Sequence, residues 1–319
     1  MQNSAQEDLQ AAILVLAFNR PEHLRSVLDS IRLQGRIADV HVWIDGTQSR
    51  ADFGTANLTC AEVARAYPVG EVRAHLGHRG MARQMLNALE HLSERYDRLI
   101  VLEDDCFPLA GGLAAMEAEL SAARDRPEVF SIYGCHFGLE PADDLDFTRF
   151  QGWAWAAHSD RIRDILPELR RLFLLSEADY VAEVARRLTP EVRDRLDRTP
   201  KRDVLKVLGK FFSWDATIAL LTAERRMLHR RTPRPAAVNT GIVEGSGHFH
   251  SNESFLRKPP MNMIRLEEAW ALYRQSEEEL ERAMGIEPTT FSLGSRRRTL
   301  AFNGLPEKSP QRPLLSSSA

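Results

Sequence analysis

The sequence predicts an α/β protein with a mostly parallel sheet that helices cover on both faces. Three observations support this fold class. Short apolar runs alternate with amphipathic segments over residues 11–125, a spacing typical of right-handed strand–helix–strand crossovers. Several of these runs end at polar residues, as strands do at the ligand-binding edge of such sheets. The length of 319 residues suits one main domain of this class with appendages.

The first part of the chain is predicted to contain four strands and three helices. The strands are expected over residues 11–21, 39–46, 69–80 and 98–105. The helices are expected over residues 21–34, 81–96 and 111–125. Pro21 suits the first turn of the first helix, and Leu24, Val27, Leu28 and Ile31 follow it at helical spacing. This alternation places the ends of successive strands at one edge of the sheet.

The pattern then changes. One more strand is expected over residues 129–137, and a charged helical stretch over 160–210. Further along, the sequence indicates a helix over 211–226, a glycine-punctuated loop over 237–252 and an acidic helix over 265–284. Residues 1–10 and 285–319 lack apolar periodicity and are expected to be disordered, which leaves one domain over 11–284.

Composition narrows the function class. A formal charge of −3 gives no reason to expect a nucleic acid as partner. The three cysteines stand far apart, which argues against a disulfide framework or a zinc ribbon and favours a reducing compartment. No apolar run approaches the roughly 20 residues of a transmembrane helix. We therefore expect a cytoplasmic protein with no transmembrane segment, and a peripheral association with a membrane stays open.

Three consecutive acids end the fourth expected strand, in the segment RLIVLEDDCFP over residues 98–108. Adjacent carboxylates at a buried strand end repel one another unless a cation or a hydrogen-bond network offsets the repulsion. Carboxylate oxygens suit hard cations such as Mn²⁺ or Mg²⁺, which typically take one or two carboxylates plus substrate phosphates. We expect Asp105 to touch the metal, with Glu103 and Asp104 holding water or ribose. The alternative is a solvated strand end.

Other polar residues follow the remaining strands. Asn19 and Arg20 follow the first strand, and Asp45 follows the second, where it could accept hydrogen bonds from a nucleoside or serve only as a turn residue. Arg79 and Arg83, beside glycines that allow close approach, could reach a diphosphate or lie on the surface.

The second part of the chain offers candidates for an acceptor site. In FQGWAWAA, Trp153 and Trp155 would share a face if they lay on a strand and could stack on a sugar, with Gly152 allowing close approach; core packing is the alternative. Trp214 and Asp215 open a helix, where Asp215 could be a general base or an N-cap. Glu244 and His248, in the glycine-punctuated loop, could close over a nucleotide or ligate a metal.

Taken in order, these motifs resemble the glycosyltransferase A (GT-A) fold, especially the family of β-1,2-N-acetylglucosaminyltransferase I and bacterial family-2-like glycosyltransferases. The segments that carry the resemblance are AILVLAFNRP, VWIDG, IVLEDDCFP, FQGWAWAA, SWDATIA and NTGIVEGSGHFH, within residues 11–250. The resemblance implies a Rossmann-like sheet with a nucleotide-sugar half over about 11–137 and an acceptor half over about 138–284. It also implies Asp105 as the Mn²⁺ ligand and a UDP-sugar as the favoured donor.

Two departures from that family matter. The acetylglucosaminyltransferase has a second acid after its Trp-Asp pair, which is its base, whereas this chain has Ala216, so the role would shift to Asp215 or elsewhere. The chain also lacks the membrane anchor of the Golgi enzymes, which favours a bacterial cytoplasmic transferase.

The sequence thus predicts a metal-dependent, inverting glycosyltransferase that acts on a glycan, lipid-linked or protein hydroxyl. One alternative is a sugar-1-phosphate nucleotidyltransferase, although the segment AFNRPEHL lacks the glycine-rich loop usual after the first strand of such enzymes. The other alternative is a non-catalytic nucleotide-sugar-binding protein.

Overall fold

A computed structural model describes most of the chain with side chains. The described residues are 10–47, 54–136, 144–197, 213–241 and 263–284. The chain divides into two compact units, Met1–Glu277 and Glu278–Ala319. The described part of the second unit is the end of the last helix. The expected disorder over residues 1–9 and 285–319 lies outside the described residues, and the division of 11–284 into two halves stays a prediction.

An eight-stranded sheet forms the centre of the first unit, in the order β3-β2-β1-β4-β8-β6-β9-β7. Its strands are β1 (Ala12–Ala17), β2 (Val40–Ile44), β3 (Glu71–Ala74), β4 (Arg98–Glu103), β6 (Val129–Tyr133), β7 (Asp146–Phe147), β8 (Trp155–His158) and β9 (Leu228–Arg231). The first four pair in parallel, whereas β8 runs antiparallel to both of its neighbours. The predicted α/β class with a mostly parallel sheet is confirmed.

Helices cover both faces of the sheet, as the strand–helix alternation predicted. They are α1 (Pro21–Leu33), α2 (Gly54–Arg65), α3 (Met81–Ser93), α4 (Gly112–Ala122), α5 (Ser159–Phe173), α6 (Glu177–Arg187), α7 (Pro190–Asp197), α8 (Trp214–Glu224) and α9 (Leu266–Ala283). Helices α1, α2 and α4 pack on one face, and α3, α5 and α8 pack on the other. Buried aliphatic side chains of β1, β2 and β4 separate the two layers, which fixes the strand ends rigidly.

Two details differ from the sequence analysis. Helix α2 was not indicated, because its buried positions are mainly small residues, such as Cys60, Ala61 and Ala64, that give a weak apolar stripe. The expected shared face of Trp153 and Trp155 is wrong, since the intervening Ala154 has a φ of 47° and interrupts the extended backbone. The two indoles consequently pack against opposite layers of the core.

A short antiparallel ribbon brings a distant segment to the end of β4. Strand β5 (Cys106–Pro108) pairs with β10 (Ala237–Asn239), with Cys106 opposite Asn239. The residues after β10 therefore lie beside the acids that precede β5. This pairing positions the site described next.

Candidate functional site

Polar residues from three parallel strand ends and from the β5–β10 ribbon meet at one edge of the sheet. Backbone hydrogen bonds tie the strand ends together: the amide of Asp104 donates to the carbonyl of Leu16 over 2.8 Å, and that of Asp45 donates to Ala17 over 3.1 Å. The Asn57 side chain donates to the carbonyls of Phe18 and Asp45. The sequence-predicted convergence at the carboxyl ends of the strands is thus present.

Arg20 joins two of the three acids. Its guanidinium donates one hydrogen bond to Asp105 Oδ2 over 2.7 Å and another to Asp104 Oδ1. The side chains of Asp104 and Asp105 are only 2% and 10% exposed, so both ion pairs are largely removed from solvent. Burial alone would lower the pKa of Arg20, but the charges of the three acids raise it overall. The guanidinium is therefore a permanent countercharge.

Arg20 does not balance the charge of the acids. Burial, followed by the charge of Asp105, raises the pKa of Glu103 well above its usual value, and Asp104 and Asp215 add to the effect. Burial also raises the pKa of Asp104 despite its ion pair with Arg20. Glu103, Asp104, Asp105 and Arg20, hereafter the carboxylate cluster, thus set three acidic side chains against one permanent cation, and ionising all three acids is unfavourable without a further positive charge. Such a site favours a further cation.

Thr240 and Gly241, which follow β10, lie against the carboxylate cluster. The sequence did not predict this contact. The Thr240 amide donates to the carbonyl of Asp105 over 2.7 Å, and the His23 ring bonds to the carbonyl of Thr240. A Cβ atom on Gly241 would lie 2.4 Å from Asp105 Oδ2 and 3.3 Å from the Arg20 guanidinium. Only glycine fits there without displacing the ion pair. The pairing of β5 with β10, a long-range contact, carries no local sequence signal.

Asp45, expected to bind a nucleoside, organises a neighbouring loop. Its carboxylate accepts hydrogen bonds from the backbone amides of Arg79 over 2.8 Å and Gly80 over 2.9 Å, and it pairs with His78 Nδ1 at 2.8 Å. Asp45 is only 5% exposed. Its carboxylate is therefore occupied by the loop that leads into α3.

The other candidates after the first and third strands occupy different positions. Asn19 is half-buried in the bend between β1 and α1, next to Arg20. Arg79 and Arg83 are exposed at the start of α3. The Arg79 side chain lines a groove between β3 and α3 that shares no lining residue with the carboxylate cluster.

The acceptor-side candidates divide into a buried and an accessible group. Trp155 is fully buried between Phe130 and Phe150 and, contrary to the prediction, offers no surface to a ligand. Trp153 is half-buried. A Cβ on Gly152 would lie 2.8 Å from the Trp214 ring and 3.1 Å from Asp215 Cβ, so the glycine permits the start of α8 to approach.

Asp215 faces the carboxylate cluster from the start of α8. It is half-buried, and it raises the pKa of Glu103 through its charge. The N-cap of α8 is Ser213, one residue before the first helical position, so the expected capping role does not belong to Asp215. The Ser213 hydroxyl donates to Asp215 Oδ1 and orients that carboxylate.

The chemistry of the cluster suits a divalent cation that brings its own further ligands. Within the described ranges, no three His, Cys, Asp or Glu side chains are arranged to hold a metal ion on their own. Mg²⁺ and Mn²⁺ bound with substrate phosphates need only one or two carboxylates, and the neighbouring Glu103 and Asp105 can supply these. Glu244 and His248 lie outside the described residues.

Comparisons with known proteins add little. No protein-family model and no curated protein matches the chain. Similar solved structures include a cytidylyltransferase from Leptospira borgpetersenii at 15% identity, covering 53% of this chain and 65% of that one with a TM-score of 0.33. They also include a mannosyltransferase from Pyrobaculum calidifontis in complex with GDP-mannose and Mn²⁺, at 18% identity, 50% and 47% coverage and a TM-score of 0.35.

A third similar structure is a mannose-1-phosphate geranyltransferase from Thermus thermophilus, at 16% identity, with 70% and 74% coverage and a TM-score of 0.34. The chain spans less than two thirds of the first two proteins. TM-scores this low establish no shared family, so the case for a function depends on the residues of this chain. None of the helices in the described ranges has the length and apolar character needed to cross a lipid bilayer.

Proposed function

We propose that this chain is a glycosyltransferase that uses a nucleotide-diphosphate sugar and a divalent cation. The observation that carries the proposal is the excess of buried carboxylates at the end of β4, where Glu103, Asp104 and Asp105 meet a single arginine. Asp215 adds a fourth carboxylate from α8. A divalent cation that arrives with a diphosphate would relieve this excess, and the strand-end position is where α/β folds bind nucleotides.

Each residue then has a role that follows from its position. Asp105, whose side chain is less buried than that of Asp104, would hold Mn²⁺ or Mg²⁺ together with Glu103, and the cation would supply Lewis-acid stabilisation of the departing diphosphate. Arg20 holds Asp104 and Asp105 in place. Asp45 fixes the loop that precedes α3 beside this edge.

Asp215 is the candidate general base for an acceptor hydroxyl. It is half-buried at a helix start, oriented by Ser213, and close enough to Glu103 for its charge to raise the pKa of that acid. A carboxylate in this position can take a proton from an attacking hydroxyl while the donor is held by the opposite group. A hydroxyl that Asp215 activates on the face opposite the departing diphosphate would give inversion at the anomeric carbon. A UDP-sugar is the favoured donor on the resemblance described above.

A thermal-shift panel tests donor binding. UDP-, GDP-, CMP- and dTDP-sugars are added with and without Mn²⁺ to the wild type, Asp105→Asn and Asp164→Asn, an exposed control on α5. A ligand at 100 times its Kd stabilises the native state by about 2.7 kcal/mol. We expect one donor class to raise Tm in the wild type and the control, only with Mn²⁺, and not in Asp105→Asn. Equal shifts in all three proteins would contradict the metal assignment.

A product assay then separates the candidate functions. Release of nucleoside diphosphate, lowered at least 100-fold in Asp215→Asn with donor binding retained, is expected for a glycosyltransferase with that base. Formation of a nucleotide-sugar and pyrophosphate from a nucleoside triphosphate and a sugar 1-phosphate would instead show a nucleotidyltransferase. Stabilisation by a donor without turnover over many hours would show a binding protein.

A further inference from the structure

A groove of about 420 Å³ lies between the edge strand β3 and helix α3. It is lined by Trp43 of β2, by Arg73 and His75 at β3 and by Asn87 and His91 of α3. Its volume falls in the range of small-molecule sites, about 300–1,000 Å³. Nothing in the proposed transferase chemistry uses these side chains.

Two buried nitrogens in this groove have no hydrogen-bond partner within the described ranges. They are Nε1 of Trp43 and Nε2 of His75. Trp43 is only 2% exposed, and an indole N–H can only donate. Buried donors are normally paired, so an orphaned donor beside a cavity indicates an acceptor that the protein itself does not provide.

Positive charge is concentrated around the same two nitrogens. The Arg73 guanidinium lies 4.7 Å from the centre of the Trp43 ring and is fixed by hydrogen bonds to Glu71 and His91. Arg79 also lines the groove, and Asp45 anchors its backbone. Burial lowers the pKa of His75, and the charges of Arg79 and Arg73 add to this effect, whereas the charge of Asp45 opposes it.

The acids of the groove do not cancel this charge. Glu90 is already held by Arg170 through two hydrogen bonds from helix α5. Glu94 lies just beyond α3, at the end of the helix opposite to Arg79. Near Trp43 and His75, Glu71 offsets the charge of Arg73 and the Asp45 carboxylate acts on His75. Arg79 is therefore the cation that this part of the groove offers to a ligand.

We propose that this groove binds an oxyanion, the phosphate or carboxylate group of a small ligand. Arg79 supplies the charge, the Trp43 indole N–H donates a hydrogen bond, and His75 donates a second one in the tautomer that carries its proton on Nε2. The guanidinium fork suits the paired oxygens of either group. This site is separate from the carboxylate cluster and does not depend on the proposed transferase activity.

Indole ¹⁵N NMR of the full chain tests the site. The protein has five tryptophans, and Trp43→Phe identifies the Trp43 resonance. Inorganic phosphate and citrate are titrated separately at constant ionic strength, which distinguishes the two oxyanions. We expect a saturable shift confined to Trp43 with at least one of them. Loss of one charge-assisted contact in Arg79→Gln should weaken binding about tenfold.

Three comparisons make the result decisive. Arg65→Gln, an exposed arginine on α2, and Asp105→Asn should both keep the wild-type affinity. The other four indole resonances report whether Arg79→Gln retains its fold. No saturable Trp43 shift with either anion, or the same affinity in Arg79→Gln as in the wild type, would overturn the proposal. Asp105→Asn removes the metal ligand of the transferase proposal and leaves the groove intact. Anion binding by this variant therefore reports on the groove alone.

Discussion

Two regions of this molecule combine arginines with acids, and the pKa values of their acids shift in opposite directions. On the surface of α5, α6 and α8, Glu168, Glu183 and Glu224 face arginines in equal number: Arg171, Arg186 and Arg187. Hydrogen bonds from Arg171 and Arg187 lower the pKa of Glu168 to about 2. In the carboxylate cluster, the pKa values of Glu103 and Asp104 are raised instead.

The difference comes from charge balance and burial. The surface network is matched in charge, and its acids keep 17–26% of their side-chain surface exposed, so its ion pairs are complete without any further group. The carboxylate cluster sets three acids against Arg20 at a largely buried strand end. Acids that outnumber their cations at a buried position destabilise the fold, and such an imbalance is typical of a site that binds a cationic ligand.

Removal of the central arginine should have the largest effect. Arg20→Met leaves the acids of the cluster without a countercharge, and breaking a buried ion pair typically costs about 3–5 kcal/mol. Urea unfolding at pH 8 should show this loss in the free energy of unfolding. The matched change in the surface network, Arg171→Met, should cost at most about 1 kcal/mol because that side chain is 48% exposed. Similar losses in both variants would contradict the comparison.

The loss of folding stability in Arg20→Met should depend on pH. Raised pKa values of Glu103 and Asp104 mean that the native state binds protons more tightly than the unfolded state, so these groups reduce stability as pH rises through their native pKa values. Without Arg20 these pKa values rise further. The destabilisation of Arg20→Met should therefore be smaller at pH 5 than at pH 8. A loss that is larger at pH 5 would show that the carboxylates are not the cause.

Steric crowding of the cluster should produce an intermediate effect. A Cβ at Gly241 would lie 2.4 Å from Asp105 Oδ2, so Gly241→Ala must displace the Asp105–Arg20 pair at a cost of about 1–3 kcal/mol. Gly54→Ala is the matched control, because nothing lies within 4 Å of a Cβ at that position. Chemical denaturation of both variants measures the difference. An unchanged stability of Gly241→Ala would mean that the ion pair is not held tightly.

Gly241 also shows which parts of the site could not be predicted from sequence. The strand–helix alternation and the polar strand ends predicted the α/β fold and the meeting of Asn19, Asp45 and the acids of β4, because these depend on local periodicity and on the topology of parallel sheets. The approach of Gly241 depends on the pairing of β5 with β10, more than 100 residues apart, which leaves no local pattern.

Side-chain roles were harder to predict than positions. The acid triplet predicted that a cation or a hydrogen-bond network offsets the repulsion, and Arg20 supplies part of that charge from the neighbouring strand end. Asp45 was expected to face a ligand, and its carboxylate accepts hydrogen bonds from backbone amides of the neighbouring loop before α3. In both cases the partner is set by three-dimensional proximity, which residue type alone does not specify.

The smallest effect is expected in the surface network. Glu168→Gln should lower the free energy of unfolding by about 1 kcal/mol near pH 6, since exposed ion pairs contribute little. A lowered native pKa stabilises the fold above the unfolded pKa, and this contribution is lost as pH falls toward about 2. The difference between the variant and the wild type should therefore shrink below about pH 4.5. A difference that grows on acidification would contradict the assigned pKa.

The most direct test of the central claim is a crystal of this protein grown with Mn²⁺ and UDP, measured at a wavelength where manganese scatters anomalously. We expect one anomalous peak at about 2.0–2.3 Å from a carboxylate oxygen of Asp105 or Glu103, shared with diphosphate oxygens. Bound UDP with no manganese at the carboxylate cluster, or manganese bound at a different place, would contradict it.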